Sequence, residues 1–172
     1  MSNMAIGAEF LGVARRHLAE SIGRVEHCVG QLDDAQVWWR PAAGLNAIGN
    51  LLLHLAGNLR QWVVAGVGGA TDTRDRPAEF AERGPIAKGE LLRRLHAAVA
   101  EADAALAVLD PARLTEPRRI QGFDETALSA TWHSLSHLTG HVQEIVLMTR
   151  LQLGDRYRFA FVPSTPEQGA PP

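Results

Sequence analysis

The stretch "LSHLTGHVQEIV", residues 135–146, places His137 and His141 four positions apart in a run that otherwise reads as a buried helix. On an α-helix, positions i and i+4 lie about 40° apart on one face, so the two imidazoles can reach one ion. Zinc and similar first-row ions accept imidazole nitrogen. A catalytic site takes about three protein ligands and leaves one position for water or substrate. Glu144 and Met148 continue near the same face. A third ligand has to come from another element, and His54 in "NLLLHLAGNLRQW" is the other histidine in a strongly apolar helical setting. Ala47, Leu51, His54, Leu55, Asn58 and Trp62 are spaced as a core-facing stripe, which points His54 inward. Spacing alone leaves two readings open: a metal site, or histidines held in the core by hydrogen bonds.

The remaining candidates read as less specialised. His133 extends the row to i−4 but drifts about 80° from His141, so it flanks the site or meets solvent. His17, His27 and His96 read as solvated or half-buried. Nothing near Cys28 would activate its thiol. The four tryptophans, Trp38, Trp39, Trp62 and Trp132, read as packing residues. The arginines and acids of the 72–83 segment read as a solvated surface.

Four segments with helical period must position these residues. The first runs from about Met4 to Leu32, with Phe10, Val13, His17, Ile22 and Val25 as inward candidates. The second runs from about Asn46 to Ala65, the third from Lys88 to Leu109, and the fourth from Glu125 to Leu153. Asp124 or Thr126 is expected to cap the fourth, and Gly154 to stop it. Almost nothing alternates as a strand would. Residues 67–86, rich in Gly, Pro and charge, and the segment around Pro117 and Gly122 read as loops. The expectation is an all-α four-helix bundle over residues 1–154, followed by a mobile tail at 155–172.

Bulk composition narrows the function. The chain has 172 residues, enough for one domain, with 46% hydrophobic and 21% charged residues. Seventeen Lys and Arg against 19 Asp and Glu give a net charge of −2. No basic patch marks a nucleic-acid or anionic-membrane partner. One cysteine excludes an intrachain disulfide. The first residues lack the basic start of a signal peptide, and the apolar runs are broken short of a membrane span. A cytoplasmic protein is expected.

Three blocks, "RPAAGLNAIGNLLLHLAGNLRQW", "RDRPAEFAERG" and "HLTGHVQEIV", resemble the DinB-like superfamily in order and separation, over roughly residues 5–153. That superfamily includes bacillithiol S-transferase-like and mycothiol-dependent maleylpyruvate isomerase-like proteins. The resemblance implies an up-down-down-up four-helix bundle, often homodimeric. It also implies a divalent metal, nickel or zinc first and manganese or iron next, held by His54, His137 and His141. One departure stands out. Many relatives read His-x-Gly-Gln-Ile after the last ligand, whereas this chain has Glu144 before Ile145, as a neighbour of the metal face, an extra ligand, a weak base or a surface carboxylate. The activity this implies is a thiol S-transferase acting on a small-molecule substrate with a low-molecular-weight thiol. Metal-dependent hydrolysis and a non-catalytic metal- or ligand-binding dimer are the alternatives.

Overall fold

The structure, a computed structural model, describes residues 3–161. About 70% of the described residues are helical. In order the elements are α1 (Asn3–Gly30), the single turn α2 (Asp34–Val37), α3 (Ile48–Leu59), α4 (Arg76–Ala81), α5 (Lys88–Ala107), the strands β1 (Pro117–Ile120) and β2 (Phe123–Thr126), and α6 (Ala127–Leu153). α1 packs on α5 and α6, and α3 packs on the same two helices, so among the described residues these helices share one core. The His-bearing α3 and α6 are therefore neighbours.

Local chemistry explains the ends of these elements. α3 begins where the Ala47 backbone N–H donates to Asn50 Oδ1 at 3.1 Å, so the cap is supplied from inside the helix. Past Leu59 the rod continues as a π-helix over Arg60–Val67 and stops at Gly68 and Gly69. All six residues of the expected stripe, from Ala47 to Trp62, are buried. Thr126 caps α6 by accepting the Ser129 N–H at 3.1 Å, and Gly154, at φ 53°, ends it. On α1, Ile22 and Val25 are buried and Phe10 and His17 half-buried, but Val13 is 47% exposed. The α-helix period turns it to the solvent side.

Two connections differ from the loops read in the sequence. The second contains an antiparallel hairpin, β1 against β2, joined by Gln121 and Gly122 at φ 52° and 83°. Positive φ at both central residues is what a two-residue hairpin turn requires. The chain is thus mostly rather than wholly helical. The other connection, between the π-helix and α5, carries α4, whose start is capped by Asp75 accepting the Ala78 N–H at 3.1 Å, with Pro77 in the first turn. Asn50 Nδ2 donates to the carbonyls of Glu79 and Glu82 at 2.9 and 3.0 Å, and Trp38 Nε1 donates to that of Ile86 at 2.9 Å. This connection is pinned to the core. Beyond α6, Tyr157 packs on the core and the Arg158 N–H donates to Gln31 Oε1 at 2.8 Å, so residues 155–161 begin docked on α1. The remainder of the expected tail, 162–172, lies outside the described residues.

Candidate metal centre

His137 and His141 sit one turn apart on α6, with ring centroids 4.6 Å apart. His54 faces them from α3 at 4.9 and 5.2 Å. One ring nitrogen from each of the three lies within 4.8 Å of the others, and the Nε2 atoms of His54 and His137 approach to 3.0 Å. His54 is 4% exposed; the other two are half-buried. His133 stays outside the cluster. It is exposed and stacks on Trp62 with centroids 4.0 Å apart, and its ring is 6.2 Å from that of His137.

The outer nitrogens have unequal surroundings. His54 Nδ1 lies 2.9 Å from Glu79 Oε2. Arg74 grips the same carboxylate as a fork, Nε to Oε1 at 2.7 Å and Nη2 to Oε2 at 2.8 Å, and Nη1 donates to Gln61 Oε1 at 2.9 Å. His141 Nδ1 lies 2.8 Å from Glu144 Oε2, a carboxylate whose side chain is 43% exposed. His137 Nδ1 is buried and has no hydrogen-bond partner among the described residues.

Electrostatics follow from that packing. Burial, with the neighbouring charges of His141, His54, His133 and Arg74, pushes His137 down to about 3. Burial alone would raise the Glu79 carboxyl, but the hydrogen bonds and charges of Arg74 and His54 outweigh it and hold the group below its ordinary value. The imidazole of His137 is therefore neutral at physiological pH, with a lone pair to offer. Two nitrogens 3.0 Å apart suit an ion bonded to each at about 2.0–2.1 Å. The three histidines could hold a metal ion through the nitrogens that converge.

Arg74 and Glu79 overturn the reading of the 72–83 segment as solvated surface. Their side chains are 2% and 10% exposed. The space they occupy comes from Gly57, three residues beyond His54 on α3. A Cβ there would lie 1.9 Å from Glu79 Oε1 and 2.9 Å from Arg74 Nε. The signals for this arrangement were a glycine inside an apolar helix and the Asp-x-Pro pattern of a helix start at residues 75–77. A groove of about 590 Å³ runs along the far side of the pair, between α3, α4 and α5. Arg74 and Glu79 line it, but none of the three histidines does, so it is separate from the face on which their nitrogens converge.

The profile of a protein family described as "Protein of unknown function (DUF1572)" matches residues 5–165. The chain belongs to the DUF1572 family. Among solved structures, that of a conserved protein from Enterococcus faecalis is similar to this DUF1572 chain, with a TM-score of 0.68 and 18% identity. The match covers 83% of this chain and 96% of that one, and at this identity it speaks for the fold alone. No curated protein matches the sequence. Among the described residues, no helix of this DUF1572 protein is long and apolar enough to cross a membrane.

Proposed function

We propose that this protein is a divalent-metal-dependent enzyme of the DinB-like type, an up-down-down-up four-helix bundle over residues 1–154. In this reading it transfers a low-molecular-weight thiol to a small electrophilic substrate. The observation that carries the metal is the convergence of ring nitrogens from His54, His137 and His141 within 4.8 Å. The three histidines would hold nickel or zinc, with manganese or iron as further options. A bound ion would act as a Lewis acid that lowers the pKa of a thiol at its open position. Glu144 accepts a hydrogen bond from His141 Nδ1 and orients that ring. The same reading places the protein in the cytoplasm as a homodimer, which the exposed Leu128, Trp132, Leu147 and Leu151 on α6 support.

Elemental analysis of protein purified without added metal or a histidine tag tests the site first. About one equivalent of a first-row ion per chain is expected, and its absence after zinc is offered would refute the metal reading. Cobalt-substituted protein then tests the substrate class. Bacillithiol, mycothiol or glutathione should create a sulfur-to-metal charge-transfer band. No response to any of the three would turn the assignment to water activation or to a binding role. Sedimentation at micromolar concentration checks the dimer, and a monomer there would overturn it.

A further inference from the structure

We infer that Arg74 and Glu79 are a positioning pair for His54. They fix its proton on Nδ1 and so leave the Nε2 lone pair facing the other histidines. This rests on the metal reading for its purpose, but not for its geometry.

His54 Nδ1 has two polar neighbours, Glu79 Oε2 at 2.9 Å and Arg74 Nη2 at 3.0 Å. One is an obligate acceptor and the other an obligate donor, so one nitrogen cannot bond both in the same tautomer. The donors of Arg74 decide between them. Nε and Nη2 donate to the two oxygens of Glu79, Nη1 donates to Gln61, and the second hydrogen of Nη2 has the His54 carbonyl at 3.4 Å. Arg74 therefore needs nothing from Nδ1. Glu79 Oε2, by contrast, would face a nitrogen lone pair at 2.9 Å if Nδ1 were bare. A proton on Nδ1 removes that repulsion and forms a charge-assisted hydrogen bond.

The rest of the surroundings hold the ring still. Phe80 packs against His54 with centroids 4.7 Å apart. Asn50 on α3 holds the Glu79 carbonyl, so the helix that carries His54 also anchors the residue that orients it. Gly57 leaves room for the fork. Arg74 balances the charge of Glu79, and the pair is buried with no net charge. A surface ion pair needs neither a missing side chain nor a buried anchor; a ligand-orienting pair needs both.

Two-bond ¹H–¹⁵N NMR of the metal-free full chain reads the tautomer directly. His54 is expected with Nδ1 protonated and Nε2 bare at neutral pH. In Arg74→Met/Glu79→Leu both charges leave together, so the fold has an apolar replacement for the pair. There the His54 signal should move toward the Nε2-protonated form, and zinc affinity by chelator competition should fall about 10–100-fold. Glu79→Asp, which keeps the carboxylate, should recover part of the affinity. Gly57→Ala, which displaces the pair without changing either residue, should reproduce the tautomer change should the double variant not fold. An Nε2-protonated His54 in the wild type overturns the inference, as does a wild-type tautomer in both the folded double variant and Gly57→Ala. If the wild type binds no zinc, the metal reading fails by itself, and the tautomer still decides what the pair does.

Discussion

His54 and His141 each meet a carboxylate through Nδ1, but the two arrangements have little else in common. Glu144 is three residues from its histidine on the same helix, and its side chain is 43% exposed. Glu79 is 25 residues from His54, arrives on a separate short helix, and is buried under a guanidinium. A helix supplies the first pairing from its own geometry. The second exists only if the 72–82 segment docks, and docking needs Arg74, Gly57 and Asn50 together. Among the described residues, His137 has no such partner on its outer nitrogen. One site thus combines a locally built ligand, a remotely braced one and an unbraced one.

The sharpest way to break this contrast is to remove one charge from each carboxylate pairing. Arg74→Ala leaves Glu79 as an uncompensated buried charge and is expected to cost about 3–5 kcal/mol. Glu144→Ala, which loses an exposed pairing, should cost less than about 1 kcal/mol. Urea denaturation of the metal-free proteins measures both. A cost below 1 kcal/mol for Arg74→Ala would mean that the brace is not a buried pair at all.

Next in size is the linkage between metal and stability. At a hundredfold excess over Kd, a ligand that binds only the folded state stabilises it by about 2.7 kcal/mol. Chelator should therefore lower the melting temperature of the parent and hardly change that of His137→Ala. His133→Ala should behave as the parent does, because that ring stacks on Trp62 outside the cluster. Loss of metal from His133→Ala with retention in His54→Ala would move the site onto α6 alone.

Glycine substitutions compare the same two helices without touching a charge. Gly57→Ala forces a Cβ into Glu79 and should cost about 1–3 kcal/mol by overpacking. Gly140→Ala, between the α6 histidines and with nothing within 4 Å of the new Cβ, should stabilise by about 0.5–1 kcal/mol through helix propensity. Equal signs for the two would remove the difference between the braced and the self-contained helix.

The smallest effect per step is with pH. His137 falls from an ordinary value of 6.5 to about 3 on folding, so below 6.5 the unfolded chain takes up a proton that the folded one refuses. Stability of the metal-free protein is full above pH 6.5. It should decline as pH falls toward 3, by at most about 1.4 kcal/mol per pH unit from this group. Glu79 is lowered from 4.5, so its contribution is intact above 4.5 and is lost as pH falls through its depressed folded value. Denaturant titrations from pH 7.5 to 5 should therefore show a slope that His137→Gln flattens. A flat wild-type curve would contradict a neutral, buried His137.

The helical frame and the three histidines are legible in the sequence. Positions four apart share a helix face whatever surrounds them, so His137 and His141 had to be neighbours. The apolar stripe around His54 had to turn inward, as the burial of Leu51, Leu55 and Trp62 shows. The cap at Thr126 and the stop at Gly154 follow from side-chain acceptors and positive φ, which are equally local. Val13 marks the limit of such reading, because an apolar residue one step off the stripe looks the same in sequence as one on it.

Only the tertiary structure decided how the histidines are held. The four-residue strands of the hairpin are too short to carry a periodic signal. Ile120 of β1 meets α3's π-helical extension at Gly66, where a Cβ would lie 2.4 Å from its Cδ1. Arg74 and Glu79 read as surface because a charge in a Gly- and Pro-rich connection is most stable in water until its partners are assembled. Here those partners, His54, Gly57 and Gln61, lie 13 to 25 residues back along the chain. Backbone geometry sets which side chains share a face, and it does so within one turn. Burying an ion pair requires every donor and acceptor around it to arrive from distant segments at once, which no local pattern records.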